Sequence, residues 1–88
     1  MVQQQVVISN SIGIHSRPAT LIVDAAEKYT STITITHGER SASARSLVRL
    51  LALKAKLGNM ITVTAEGADE KESLVAVVGL IESKFGEE

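Results

Sequence analysis

Cysteine and tryptophan are absent from this chain, and tyrosine, phenylalanine and proline occur once each. Without thiols there is no disulfide scaffold, no thiolate zinc site and no iron–sulfur cluster, and a reducing, cytoplasmic location is expected. Aromatic residues make up 2% of the sequence, and no aromatic motif for stacking nucleic-acid bases is present. No excess of positive charge offsets this lack, because the net charge is −1, so no nucleic-acid partner is expected. No apolar run approaches the ~20 residues that span a bilayer, so no membrane insertion is expected. Met1 to Gln5 lacks the basic start of a secretory signal. A metal site is not expected, since the two histidines, His15 and His37, have no second His or Cys at ligand spacing. There is no glycine-rich nucleotide loop and no acidic pair near His15, and no cofactor is expected.

What is present is a short, aliphatic chain. Its 88 residues are read as a single domain, 1–88, too small for a deep water-excluding cleft. Hydrophobic residues reach 44%, enough for a packed core. Charge is unevenly spread. Residues 40–65 hold Arg40, Arg45, Arg49, Lys54 and Lys56 and no acid, whereas residues 66–88 hold seven acids against Lys71 and Lys84. Such a basic segment can steer an acidic partner or simply form a solvated face.

Hydrophobic periodicity divides the chain into seven elements. Val2 to Ile8 reads as a strand. Arg17 to Tyr29 reads as a helix with Ala19, Ile22, Val23, Ala26 and Tyr29 on its apolar face, Ser16 as N-cap and Pro18 in the first turn. Thr32 to His37 and Arg40 to Ala44 form a hairpin through Gly38. Ser46 caps a second helix that buries Leu47, Leu50, Leu51 and Leu57 and ends at Gly58-Asn59. Met60 to Glu66 is a strand. The last helix carries the stripe Leu74, Val77, Val78, Ile81 and Phe85, with Gly79 inside it as the mark of a close neighbour. The order β-α-β-β-α-β-α suits an α+β layer of helices over a four-stranded sheet.

The most informative string is Gly13-Ile14-His15-Ser16-Arg17-Pro18-Ala19. His15 falls just before a helix, whose first turn offers unpaired N–H groups and about half a positive charge. An anion placed there meets ready donors. Arg17 adds a guanidinium fork that matches phosphate geometry, and Gly13 allows the loop angles that expose the imidazole. Neutral imidazole is a good nucleophile near pH 7, so the string describes a His that accepts a phosphoryl group. A hydrolase triad fits poorly, because nothing orients the imidazole as a base.

The string resembles the active-site signature of the HPr family, the phosphocarrier proteins of the bacterial phosphoenolpyruvate-dependent sugar phosphotransferase system. The resemblance covers the whole chain, with Ser41-Ala42-Ser43-Ala44-Arg45-Ser46-Leu47 and Ala65-Glu66-Gly67-Ala68-Asp69-Glu70 as further matches in register. It implies an open-faced β-sandwich with three helices on one face of a four-stranded antiparallel sheet. It implies a transient phosphohistidine on Nδ1 of His15, with Ser16, Arg17 and the helix amides stabilising the phosphate. The partners implied are Enzyme I as donor and the IIA domains of sugar transporters as acceptors, docking on the first two helices through Thr20, Leu47, Val48, Arg49 and Leu51. Leu47 and Leu51 fit the core equally well. The chain is a link in a phosphotransferase chain rather than a stand-alone enzyme, and a monomer is expected. Ser46 is a candidate for regulatory phosphorylation by a serine kinase, although as an N-cap it needs no such role, and Arg49 replaces the glycine common in kinase-regulated members. A phosphate on Ser46 would lie beside Arg45 and Arg49. Ile12, Asp24, Glu27 and Lys54 depart from the family pattern and bear on partner fit. The alternative is a carrier in a regulatory, nitrogen-type phosphorelay, which would use the same His15.

Overall fold

A computed structural model describes residues 1–86. Four strands, β1 (Val2–Val7), β2 (Thr32–His37), β3 (Arg40–Ser43) and β4 (Met60–Glu66), form one antiparallel sheet in the order β1-β4-β2-β3. Three helices, α1 (Ser16–Ala26), α2 (Leu47–Ala52) and α3 (Glu70–Glu82), cover one of its faces, and a 3₁₀ turn, Lys84–Gly86, follows α3. This is the expected open-faced α+β sandwich.

Alternation along the strands decides which face is covered. Val6, Ile33, Ile35, Ala42, Ile61, Val63 and Ala65 are buried beneath the helices. The register pairs Val6 with Ile61, Ile33 with Ala65, and Ile35 with both Val63 and Ala42, so inward side chains lie side by side. The opposite face is polar and uncharged over most of its area, with Gln3 paired to Thr64, Gln5 to Thr62 and Thr36 to Ser41. From the helices, Ala19, Ile22, Leu50, Val77 and Ile81 complete the core. Each fully buried Ile or Leu contributes about 1.5–3 kcal/mol, which is how a small chain without disulfides holds together.

Several boundaries differ from the sequence reading, each for a local reason. β1 ends at Val7, although Ile8 remains fully buried and its backbone bonds Gly58 and Asn59. β3 ends at Ser43, yet the Ala44 amide still donates to Ile33 O at 2.9 Å. α1 stops at Ala26 rather than Tyr29, because the amides of Lys28 and Tyr29 turn back to the tighter partners Ala25 O and Ala26 O. The Arg45 guanidinium then takes up the carbonyls of Ala26, Tyr29 and Ser31.

The largest correction concerns α2, which ends at Ala52 instead of reaching Gly58. Lys54 has φ of +54°, a left-handed conformation that breaks the helix. Leu53 and Ala55 are therefore buried in place of Leu57, and Leu47, Leu51 and Leu57 are exposed. Gly79 has open space where a Cβ would stand, so no close neighbour explains it. Phe85 is buried as expected but lies in the 3₁₀ turn, beyond the end of α3.

Candidate functional site

The site begins with a loop held down by its own backbone. Asn10 is fully buried, and its side-chain amide donates to Gly13 O at 2.7 Å. Gly13 donates back to Asn10 O at 3.2 Å, and Ile14 N donates to Ala55 O at 2.9 Å. Gly13 has φ of +83°, and a Cβ there would collide with Ala55 O and lie 2.6 Å from Lys56 Cα. No other residue fits both the angle and the space. The segment Lys54–Asn59 thus acts as a strap beneath the loop, bonded again where Gly58 N meets Ile8 O at 2.8 Å.

The loop delivers His15 to the N-cap of α1, half-buried and with extended backbone angles. This corrects one assignment: Ser16 is the first helical residue and not the cap, because the helix starts one residue earlier than its sequence suggests. Ser16 instead gives its carbonyl to the Thr20 hydroxyl at 2.8 Å. Ala19 N makes the first bond of the helix, to His15 O at 3.0 Å. Pro18 has no N–H to offer. The helix itself therefore leaves the Ser16 and Arg17 amides unused, next in the chain to His15 and at the positive end of the macrodipole. Arg17 is exposed in this first turn, and the first turn contains no acid. His15, Ser16 and Arg17 are brought together at one helix end, where they can receive an anion.

α2 packs beside α1. The Ser46 hydroxyl caps α2 as expected, accepting Arg49 N–H at 3.3 Å. Thr20, Leu47, Val48, Arg49 and Leu51 are all exposed, which settles Leu47 and Leu51 outside the core. Val48 is 77% exposed. Arg45 does not stand ready for a phosphate on Ser46, since its guanidinium is bound to the carbonyls at the end of α1. His37 lies away from His15, in the hairpin, where its Nδ1 bonds Leu53 O at 2.8 Å; nearby, Arg40 donates to Ala52 O at 3.3 Å. Both residues fasten the hairpin to the end of α2. Among the described residues no cluster of His, Cys, Asp or Glu could hold a metal ion. No described helix is long and apolar enough to cross a membrane.

Sequence reasoning passed over the tether at Asn10 and Ala55, and places Arg45 beside Ser46 rather than at the carbonyl end of α1. Asn10 and Gly13 were legible as a loop, but nothing local announces that a buried amide and the Ala55 carbonyl 41 to 45 residues away hold that loop in place.

Comparison with known proteins now bears on this geometry. The family model described as PTS HPr component phosphorylation site matches residues 2–83. A phosphocarrier protein NPr of Shewanella violacea is 39% identical, with 97% of this chain and 93% of that protein covered. A phosphocarrier protein HPr of Haemophilus influenzae is 41% identical, with 92% and 95% covered. The crystal structure of HPr-C-His from Thermoanaerobacter tengcongensis superimposes with a TM-score of 0.95 at 41% identity, covering 100% of this chain and 99% of that one.

Proposed function

This chain belongs to the HPr family and is a phosphocarrier of the phosphotransferase system; from that premise we propose that His15 is the residue that carries the phosphoryl group. The observation that carries the reading is the N-terminus of α1, where a half-buried His15 stands at the cap, the helix leaves the Ser16 and Arg17 amides without a partner in it, and the first turn holds Arg17 and no acid. In this reading neutral His15 attacks through Nδ1. A nitrogen–phosphorus bond forms as the bond from phosphorus to the donor breaks. The Ser16 and Arg17 amides and the Arg17 guanidinium meet the charge on the equatorial oxygens as it moves. The reverse step, with an acceptor in place of the donor, empties the site.

The donor is Enzyme I, charged by phosphoenolpyruvate, and the acceptors are IIA domains of sugar transporters. They reach His15 in turn across the exposed patch of Thr20, Leu47, Val48, Arg49 and Leu51 in a cytoplasmic encounter with a monomer. A shallow site suits this work, because two different proteins must approach one imidazole. Ser46 is open to a serine kinase only at the expense of its cap to Arg49, and Arg45 is committed elsewhere.

A second circuit has its own support, since a relative of 39% identity is an NPr. The test is a chase. The protein is charged with Enzyme I and phosphoenolpyruvate, then divided between a sugar-type and a nitrogen-type IIA acceptor. Faster discharge to the sugar-type acceptor supports the reading given. Faster discharge to the nitrogen-type acceptor moves the protein to the regulatory circuit.

A further inference from the structure

The arginines of the basic middle segment are used unevenly. Arg45 is tied to the carbonyl end of α1. Arg40 and Arg49 come from different elements, β3 and α2, and line one cavity between them. It has a volume of about 370 Å³, and Ser41, Ala52 and Leu53 complete its lining. Among the described residues no carboxylate lines it. The acid next in the chain, Glu39, is exposed in the hairpin turn and makes no ion pair among the described residues.

The two guanidinium groups have little to do for the fold. Arg40 donates through Nη1 to Ala52 O at 3.3 Å, which ties its head to the cavity wall. Its other nitrogens, and the whole Arg49 guanidinium, have no hydrogen bond or ion pair among the described residues. Nor does the carbonyl end of α2 call for more donors. Leu50 O and Leu51 O accept the amides of Leu53 and Lys54, Ala52 O accepts Arg40, and Leu53 O is bonded by His37 Nδ1 at 2.8 Å. The carbonyls that would repel an anion are thus already engaged. Two like charges that share a cavity disfavour each other until an anion joins them. A guanidinium does not lose its proton near neutral pH, so this pair cannot relieve the repulsion by titration.

We propose that the cavity between β3 and the end of α2 binds a small organic phosphate, with the phosphate dianion between Arg40 and Arg49 and a short carbon skeleton against Ala52 and Leu53. Each arginine fork can meet a pair of phosphate oxygens, and a dianion balances the two fixed charges. Small-molecule sites run from ~300 to 1,000 Å³, and this cavity lies near the lower end, which suits a ligand of few heavy atoms. His15, Ser16 and Arg17 do not line it, so binding here is independent of phosphoryl transfer at His15. Arg49 also belongs to the docking patch proposed above, so an occupied cavity removes one free charge from that patch.

The test is a titration of the full, nitrogen-labelled chain, followed through its backbone amide resonances. The probes are glycerol 3-phosphate, glucose 6-phosphate, inorganic phosphate and succinate, at millimolar concentration. Saturable shifts centred on Arg40, Ser41, Arg49, Ala52 and Leu53 are expected for at least one organic phosphate. Its Kd should lie about threefold or more below those of inorganic phosphate and succinate, from the added apolar contact. Arg49→Gln should weaken binding about tenfold or more, and Arg49→Lys by less, since lysine keeps the charge but not the fork. The Arg49 guanidinium bonds nothing in the fold, and its backbone amide keeps the Ser46 cap in either variant, so thermal midpoints should hold. Shifts centred on residues 13–17, and abolished by Arg17→Gln, would place the anion at α1 and overturn the proposal. Shifts that do not saturate, or that survive Arg49→Gln unchanged, would also overturn it. Equal affinity for inorganic phosphate or succinate would mean an adventitious ion only, and would overturn the assignment to an organic phosphate.

Discussion

The N-termini of α1 and α3 are the same physical device furnished with opposite charge. Each presents unpaired amides and a partial positive charge. At α3 the chain supplies its own anions. Glu70 and Glu72 lie in the first turn, the Glu70 carboxylate accepts Gly67 N–H at 3.1 Å, and it pairs with the amino group of Met1 at 3.2 Å. Asp69, at the cap, reaches across to accept the amides of Thr30 and Ser31, each at 2.9 Å, and the Ser31 hydroxyl. At α1 the first turn holds Arg17 and no acid, and the cap is His15, which makes no side-chain cap bond. One end carries the chain's own carboxylates; the other, in the function proposed above, receives a phosphate.

The strongest way to break the comparison is to remove the platform under α1. Gly13→Ala places a methyl group against the Ala55 carbonyl at a positive φ. We expect a loss of about 2–4 kcal/mol in denaturant unfolding, together with loss of phosphoryl transfer. Next is to convert α1 into α3. Arg17→Glu supplies the missing acid in the first turn, so unfolding should show a gain of about 0.3–1 kcal/mol from the macrodipole. Transfer from Enzyme I should nevertheless fall by about 10²-fold or more, because one phosphate donor is lost and a repelling charge takes its place.

The converse change is made at Asp69. Hydrogen bonds from Ser31 and the Thr30 amide hold its carboxyl below the ordinary value near 3.8, and the Gly67 amide, followed by the chain's amino terminus, holds Glu70 below 4.5. Both groups bind protons less readily when folded. Their stabilisation is complete above the ordinary carboxylate range and is lost as pH falls through the lowered values. Thermal midpoints should therefore drop below about pH 4, and Asp69→Asn should flatten that acid limb while lowering the midpoint at neutral pH. Transfer at neutral pH should persist in any Asp69→Asn protein that remains folded. The smallest expected effect is at the strap. Lys54→Gly relieves a left-handed non-glycine residue and should add about 0.5–1 kcal/mol in denaturant unfolding, with His15 still phosphorylated.

Much of this was readable in the sequence, for identifiable reasons. The strands were legible because alternation has a period of two and one sheet face is buried; Ile33, Ile35, Ile61, Val63 and Ala65 all lie where alternation puts them. The placement of His15, Arg17 and Pro18 at a helix start was legible because the signals for it are local in the sequence. α2 was misread because a left-handed turn at Lys54 gives no periodic signal, and lysine is not the residue that normally marks one. Ser16 reads as a cap because serine is usually a good one, while the cap position is occupied by His15. The Arg45 clasp and the Asn10 tether join residues that only the fold brings together.

The most direct test of the central claim is to charge the wild-type protein and His15→Ala with Enzyme I and phosphoenolpyruvate, and to read both by intact mass and phosphorus NMR. The account predicts one acid-labile phosphate on nitrogen in the wild type, and none on a His15→Ala protein that remains folded. A phosphate that persists in folded His15→Ala, on His37 or Ser46, would contradict it.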